Sequence, residues 1–527
     1  MAKVGRALVS VADKRGLAEL VAGLEALGIE VVSTGGTAAL LRQKGIPVTD
    51  VASATGFPEV LGGRFKTLHP LVHCAILAAR DRRDHMADLE RHGVRPIDLV
   101  VVNLAPFELA AAGAGCTVEQ AIEAIDIGGP ALIRSAAKNH AWVTVVVDPD
   151  DYDHVLGALR QGGGVPLAMR AELALKAFRL AARYDRAIAA YLASSIEGRF
   201  PVDLALDFVK AHELRGGENA HQAAALYREP SCAEPSAATA TQLTGVEALS
   251  YGSLLDLDAA LRLLKDLDEP AAAIVRHASP CGAAVGSTCA EAFGKASAAS
   301  PAEALGVLVA LSRRVDVATA ERLAAASGGE APMGFEVIAA PDYDEGALQR
   351  LAAAPAGGAG VRVVRTGAWS RESIDTKAYD GRRIVGGLLV QDRDLAVLDR
   401  GVKVATARQP TEAEWRELRF AWVCAKHAAS HAVALAADGV MVGVGAGQPR
   451  CIDAARLAAL HAGERAQGAA LASDSPVASP DVVETAAQAG CTAIIQPGGA
   501  ESDAQAVDKA NELGIAMVFT GLCHLRH

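Results

Sequence analysis

No Cys-x-x-Cys pair occurs among the nine cysteines of this 527-residue chain. That spacing excludes a clustered thiolate metal site, and an odd number of scattered cysteines fits free thiols in a reducing compartment. A basic excess is missing too: 51 Lys and Arg stand against 62 Asp and Glu, a formal net charge of −11. An extended nucleic-acid track needs clustered cations, so any anion site must be local. No stretch approaches the length of a membrane span, and no apolar run of signal length follows Lys3 and Arg6. The expectation is a cytoplasmic protein that contacts neither membrane nor nucleic acid. Repeats of short period are also lacking. What remains, 51% hydrophobic and 21% charged residues, fits a globular enzyme too long for one core.

The first two hundred residues alternate short apolar runs with amphipathic segments. Ala7-Leu8-Val9 reads as a strand, Leu17, Leu20, Val21, Leu24 and Leu27 recur at helical spacing, and Ile29–Val32 reads as a second strand. Leu99–Val102 and Thr144–Val147 are β-branched runs short enough for buried parallel strands, so the first domain reads as a doubly wound α/β layer. The pattern weakens through Ser194–Gly198, which sets domains of 1–197 and 198–527. Further strands are expected at Ala272–Val275, Val307–Leu311, Val337–Ala340, Val361–Val364, Leu388–Val390, Val440–Val444, Ala493–Ile495 and Ala516–Phe519. Thr411 with Glu414 three residues on is a capping box opening a helix toward Lys426-His427. An Ala/Gly/Pro-rich stretch from Ala352 to Gly360 suggests a seam between subdomains near 352–385.

Within an acidic chain the turn GGRFKTLHP, residues 62–70, is compactly cationic. It offers Arg64 for bidentate contact, Lys66 as a mobile ammonium and Thr67 as a hydroxyl donor. Ser10 ends the first strand with Lys14 at the start of the next helix. Ser33-Thr34-Gly35-Gly36-Thr37 ends the second strand with glycines that let the backbone approach a phosphate. No Gly-Lys-Ser/Thr follows, so this is not a P-loop. Each turn by itself reads first as an ordinary helix cap, but three of them at one sheet end describe a phosphate pocket. Asp126-Ile127-Gly128-Gly129-Pro130 and Lys138-Asn139-His140 supply a carboxylate and an amine able to shuttle protons, or a plain surface pair. His69 and His73 lack an obvious third ligand, and no metal is expected. Gly443-x-Gly445-x-Gly447 has the wrong spacing for a dinucleotide fingerprint and reads as a tight turn lining a substrate.

LVSVADKRGL, VVSTGGTAALLRQKGIPVTDV, TGFPEVLGGRFKTLHP, IDIGGPALIRSAAKNH, GGLLVQDRDL, RQPTEAEW, VGVGAGQ, AIIQPGG and GIAMVFTG, in that order, resemble the AICAR transformylase/IMP cyclohydrolase family nearly end to end. The resemblance implies an N-terminal domain of methylglyoxal-synthase-like fold and a C-terminal domain of two cytidine-deaminase-like subdomains working as a homodimer. It implies formyl transfer from 10-formyltetrahydrofolate to the amino group of a phosphorylated ribonucleotide, AICAR, followed by dehydrative closure to IMP. Ser10, Lys14, Ser33, Thr34, Gly35, Gly36, Thr37, Arg64 and Thr67 would then hold phosphate and ribose, with Asn103 and Gly128 also on the substrate. Lys66, Asp126 and Lys138 would surround the reacting carboxamide and formyl group. In the second domain Arg276, His277 and His431 would be catalytic, and Arg215, Asn219, His221 and Gln448 would contact substrate.

Several positions depart from the family pattern. Asn103-Leu104-Ala105-Pro106-Phe107 carries alanine where the family has tyrosine, and losing one preorganised donor can cost on the order of 10²-fold. Arg215-Gly216-Gly217-Glu218-Asn219-Ala220-His221-Gln222 lacks an aromatic. The family's Lys-His pair appears as Arg276-His277, which keeps the charge but not an exchangeable proton near neutral pH. His431 replaces asparagine, Ser475-Pro476-Val477-Ala478 replaces Phe-Phe-Pro-Phe after Ser473-Asp474, and Cys451 and Cys523 stand in place of arginines. His277-Ala278-Ser279-Pro280-Cys281 touches the zinc-deaminase signature, but no Cys-x-x-Cys or His-x-Glu accompanies it. The leading expectation is an enzyme of this family. Its alternatives are a paralogue for a specialised purine-like nucleotide and a degenerate nucleotide-binding or assembly partner.

Overall fold

The computed structural model describes residues 3–527 apart from 112, 114, 231, 246, 301–304, 329–332, 354–360 and 399–400. Residues 354–360 of the expected seam therefore lie outside the described residues. The chain divides into two compact units, Met1–Asp207 and Phe208–His527. The first ends beyond the expected 197/198 boundary. After the helix Leu167–Ile196, the Val202 N–H donates to Glu197 Oε2 at 2.7 Å, and Arg186 pairs with Asp207, tying residues 198–207 back.

The first unit is a five-stranded parallel sheet of β1 (Arg6–Val11), β2 (Glu30–Ser33), β3 (Thr49–Asp50), β4 (Leu99–Asn103) and β5 (Thr144–Val146). Its order is β3-β2-β1-β4-β5. Alternate residues fill two cores: Leu8, Val32, Val100, Val102 and Val145 on one face, Ala7, Val9, Val31, Leu99 and Val101 on the other. Burial on both faces is why these strands read as continuous apolar runs. Strand order reverses at β1 and β4, and the crevice outside such a switch point is where doubly wound sheets bind ligands.

The second unit holds the ribbon β6 (Val209–Leu214) and β7 (Ala224–Arg228), the short β8 (Thr241–Gln242), and β9 (Ala271–Arg276), β10 (Ser279–Val285), β11 (Leu305–Leu311), β12 (Gly334–Ala340) and β13 (Arg362–Arg365). A second ribbon, β14 (Tyr379–Ile384) and β15 (Gly387–Asp392), precedes β16 (Lys403–Val404), β17 (Val433–Ala437), β18 (Val440–Gly445), β19 (Ala470–Ser473), β20 (Ala493–Gln496) and β21 (Ala516–Phe519). Twelve of these form one sheet in the order β16-β21-β20-β19-β17-β18-β10-β9-β11-β12-β13-β8. A hairpin followed by three parallel strands occurs twice, as β9–β13 and as β17–β21, and the copies meet where β10 pairs antiparallel with β18. This two-fold repeat has no sequence period to betray it.

The helices Tyr251–Lys265 and Glu412–Lys426 cover one face of both halves, over small strand residues such as Ala273, Ala283, Ala310, Ala339, Ala434, Ala436 and Ala472. Larger residues point to the opposite face of each half. Close helix packing explains why β17 and β19 are alanine-rich and went unrecognised as strands. Leu388–Val390 forms part of β15, but in a largely exposed ribbon rather than in the sheet. The capping box is present: Thr411 Oγ1 accepts the Glu414 N–H, while the Thr411 N–H donates to Glu414 Oε2 at 2.8 Å.

Candidate active sites

In the first unit the switch point is laced by side chains. Asn103, at the end of β4, accepts the N–H groups of Ala12 and Asp13 at 2.6 and 2.9 Å and donates to the Asp13 carbonyl at 3.1 Å. It shapes the loop after β1 rather than presenting a free amide. Ser33 is fully buried and donates its hydroxyl to the Val9 carbonyl at 2.6 Å, stitching β2 to β1. Thr34 is the N-cap of the helix Gly35–Gln43, and Gly35 takes φ 54°, a left-handed value that favours glycine. Ser10 is half-buried in register with Val102.

Two ammonium groups converge on the first turn of that helix. Lys14 Nζ donates to Thr37 Oγ1 at 2.7 Å and to the Val11 carbonyl, and burial pushes its pKa down. Lys66 Nζ lies against Gly35, where an added Cβ would meet it at 3.4 Å, and the space beside Gly36 is open. Neither amine has a carboxylate partner among the described residues. Cations with no counter-ion beside free helix-terminal N–H groups favour an anion. Thr67, on the same turn as Lys66, is buried against Gly128, where a Cβ would stand 2.6 Å from its Oγ1. Arg64 instead forks onto Glu123, its Nε donating to Oε1 at 2.9 Å.

Asp126 Oδ1 accepts the Gly129 N–H at 2.9 Å at the start of the helix Gly128–Lys138, and the Asp126 N–H donates to the Tyr184 hydroxyl at 2.7 Å. A Cβ on Gly129 would collide with Asp126 and Leu104, so the carboxylate is packed into place. Asp126 and Thr67 thus meet at Gly128. Lys138 stands apart: it is exposed at the far end of the helix, roughly 15 Å along the axis from Gly128 at 1.5 Å per residue.

In the second unit, antiparallel pairing gathers separate segments at one sheet edge. β10 pairs antiparallel with β18 at Ala284↔Val440, so the start of β10 lies toward the carboxyl end of β18, and Val433 pairs with both Gly445 and Ser473. Arg276-His277, Ser430-His431, Gln448 and Ser473-Asp474-Ser475 therefore share an edge, outside the carboxyl ends of β19, β20 and β21. Arg276 and His277 are exposed, and His277 and Ala278 take φ 55° and 56°. His431 Nδ1 lies 2.7 Å from the buried Ser475 Oγ. Asp474, fully buried, accepts the Ser430 hydroxyl and the Ala432 N–H, the latter at 3.0 Å. The Gln448 carbonyl accepts the His431 N–H at 3.2 Å. Lys426 and His427 are buried and share Asp266 Oδ2 at 2.8 and 2.7 Å; burial lowers the His427 pKa against the pull of Asp266.

Arg215, Asn219 and His221 lie at the tip of the β6–β7 ribbon. Arg215 pairs with Glu247 at 2.7 Å, and Asn219 donates its backbone N–H and its side-chain Nδ2 to Gln222 Oε1 at 2.9 and 3.2 Å. The expected turn at Gly443-x-Gly445 needs correction. Both glycines are strand residues of β18, where any Cβ would collide with the Ala458 and Ala454 carbonyls of the helix Cys451–Ala462, and only Gly447 lies in a loop. Two groups escaped sequence reasoning: Asp256 and Glu417 sit mid-helix without a motif, yet each binds a hairpin turn. No group of three or more His, Cys, Asp or Glu residues among those described is arranged to hold a metal ion.

Residues 136–461 match the family described as AICARFT/IMPCHase bienzyme, and residues 16–131 match the MGS-like domain. Over 523 residues the chain is 46% identical to the bifunctional purine biosynthesis protein PurH of Anoxybacillus flavithermus (strain DSM 21510 / WK1), covering 99% of each. It is 44% identical over 525 residues to PurH of Bacillus subtilis (strain 168), covering 99% of this chain and 100% of that one. A crystal structure of ForH is 41% identical, with 36% of this chain and 100% of that chain covered, at a TM-score of 0.32. The chain belongs to the AICARFT/IMPCHase bienzyme family.

Proposed function

We propose that the family's two activities are divided between the two units, ring closure in the first and formyl transfer in the second. The chain is a bifunctional enzyme of purine biosynthesis that moves a formyl group from 10-formyltetrahydrofolate to AICAR and closes the product to IMP. The observation that carries the division is the pair of uncompensated amines, Lys14 and Lys66, at the first turn of the helix Gly35–Gln43. They suit the phosphate of the ribonucleotide, with Thr37 and the open Gly36 backbone completing the cradle. Arg64 joins them by exchanging Glu123 for phosphate. Asp126 and Thr67, meeting at Gly128, then flank the carboxamide, whose nitrogen attacks the formyl carbon with loss of water. Lys66, next to Thr67 in the sequence, is assigned the charge on the formyl oxygen as well.

At the sheet edge of the second unit, His277 takes the proton from the AICAR amine as its nitrogen bonds the formyl carbon. The bond from that carbon to the folate nitrogen breaks, and the folate nitrogen leaves with the proton that His277 passes on. Arg276 supplies fixed positive charge and no proton, and His431 with Gln448 stands at the same sheet edge. We assign the working protein to homodimers, since the ribbons expose Val209 and Tyr227 on one and Ile384, Val385 and Leu389 on the other. Its nine cysteines are all free thiols, which suits a cytoplasmic location. No described helix is long and apolar enough to cross a membrane.

Purified chain supplied with AICAR and 10-formyltetrahydrofolate should yield IMP, and formyl-AICAR alone should yield it without folate. Lys66→Ala should abolish the second reaction and leave formyl-AICAR to accumulate in the first. IMP from neither mixture overturns the reading.

A further inference from the structure

The turn between β9 and β10 consists of His277 and Ala278 alone, closed by Arg276 opposite Ser279. Left-handed φ at both central residues is what a two-residue hairpin of type I′ demands, and Asn-Gly or Asp-Gly meets the demand without strain. Here both residues carry a Cβ that opposes the conformation, which survives only where surrounding groups enforce it. One such group is evident. The Ala278 N–H donates to Asp256 Oδ1 at 2.6 Å, from the second turn of the helix Tyr251–Lys265.

The other half of the sheet supplies a built-in reference. Its equivalent hairpin, β17–β18, turns at Asp438 and Gly439 with φ 52° and 69°. The Gly439 N–H donates to Glu417 Oε1 and Oε2 at 3.2 and 3.1 Å, from the equivalent helix Glu412–Lys426. Arrangement and hydrogen bond are the same, yet Asp-Gly adopts this turn unaided. The strained version occurs at the edge where His431, Gln448 and Ser475 gather, and the relaxed one at the opposite edge.

We propose that Asp256 is a positioning residue for formyl transfer: by accepting the Ala278 N–H it enforces the left-handed turn that carries His277, and so fixes where the imidazole stands. The inference rests on the reading of His277 as the base. Asp256 acts through its hydrogen bond and not through its charge, so a neutral acceptor in its place serves as well.

The test uses the full-length chain, with formyl transfer from 10-formyltetrahydrofolate to AICAR as the readout and conversion of formyl-AICAR to IMP as the internal measure of folding. Asp256→Ala should lower the kcat of formyl transfer by about 10- to 100-fold, the scale of a misplaced catalytic group, with KM and the cyclohydrolase unchanged. Asp256→Asn should stay close to the unaltered chain, as should Ala278→Gly. Asp256→Ala combined with Ala278→Gly should recover much of the loss, because glycine removes part of the strain the carboxylate opposes. Glu417→Ala, at the relaxed turn, should leave formyl transfer within about threefold. Should Asp256→Ala not fold, Asp256→Glu displaces the same acceptor by one methylene and should also cut kcat. The inference is overturned if Asp256→Asn is as inactive as Asp256→Ala, if removing the acceptor costs nothing, or if Ala278→Gly rescues nothing. An unaltered chain without formyl transfer would instead overturn the reading of the site, and the inference with it.

Discussion

The two halves of the twelve-stranded sheet share a strand order, a helix-borne carboxylate and a left-handed two-residue turn, but they spend that turn differently. Because β10 and β18 run antiparallel, the two turns fall at opposite edges, and each faces the carboxyl ends of the other half's parallel strands. At one edge Asp438-Gly439 is closed down: the Val285 N–H donates to the Gly439 carbonyl at 2.9 Å, and a Cβ on Gly439 would stand 2.8 Å from Val285 Cγ2. At the other, Arg276 and His277 are exposed beside polar groups from three further loops. One scaffold therefore builds a structural corner in one copy and a chemical one in the other. Strain appears only where chemistry is expected.

The largest effect should come from exchanging equivalent turn residues. His277→Ala should lower formyl transfer by roughly 10²- to 10⁴-fold, the usual contribution of a general base, whereas Asp438→Ala should leave kcat within a few-fold. Equal losses at the two turns would erase the distinction. Next is the pair unique to the chemical edge: Ser475→Ala frees the His431 ring and should cost about five- to tenfold in kcat, the worth of one hydrogen bond, read against an unchanged cyclohydrolase rate. Stability should show the reverse asymmetry. Gly439→Ala puts a Cβ at φ 69° against Val285 and should destabilise the second unit by about 1–3 kcal/mol in urea unfolding. Ala278→Gly should shift the midpoint the other way by less than about 1 kcal/mol.

The smallest effect concerns pH and should be the same in both halves. Burial pushes the carboxyls of Asp256 and Glu417 up, more than the hydrogen bonds from Ala278 and Gly439 pull them down. A carboxyl whose pKa is higher folded than unfolded holds its proton more tightly in the folded chain. Its contribution therefore favours the fold at acid pH and is lost as pH rises through the raised value. Glu417→Gln and Asp256→Asn should each flatten the fall in melting temperature as pH rises above the ordinary carboxylate range. A slope removed by only one of them would show that the two carboxylates are not equivalent after all.

How much of this was visible beforehand varies with the kind of signal. Four strands of the first unit, β1, β2, β4 and β5, were legible because they are apolar and buried on both faces, whereas the two-residue β3, half-buried Thr49–Asp50, was not; the phosphate turns were legible because Ser33–Thr37 and residues 62–70 are short contiguous segments. The helix from Glu412 announced itself through Thr411 and Glu414. β17 and β19 did not, since VALAA and ALAS carry no β preference, and alanine is there to let a helix approach. Asp256 was invisible because its partner lies 22 residues on and across a turn of atypical composition. Glu123 on Arg64 and Asn103 on the loop after β1 are likewise contacts between distant segments, which no local pattern encodes.

The order of residues by itself determined the anion-seeking turns and most of the strands, since each depends on side-chain chemistry within a few neighbouring positions, while the family and with it the reaction followed from the resemblance of successive motifs along the chain. The resemblance already implied two similar subdomains in the second unit, but only tertiary structure decided that their sheets join as one, that the copies meet antiparallel, and that one hairpin turn is strained while its twin is relaxed. Those facts depend on which distant segments pair, and pairing is set by packing of the whole sheet, where burial outweighs the local preference of alanine for helix and of His-Ala for anything but a left-handed turn.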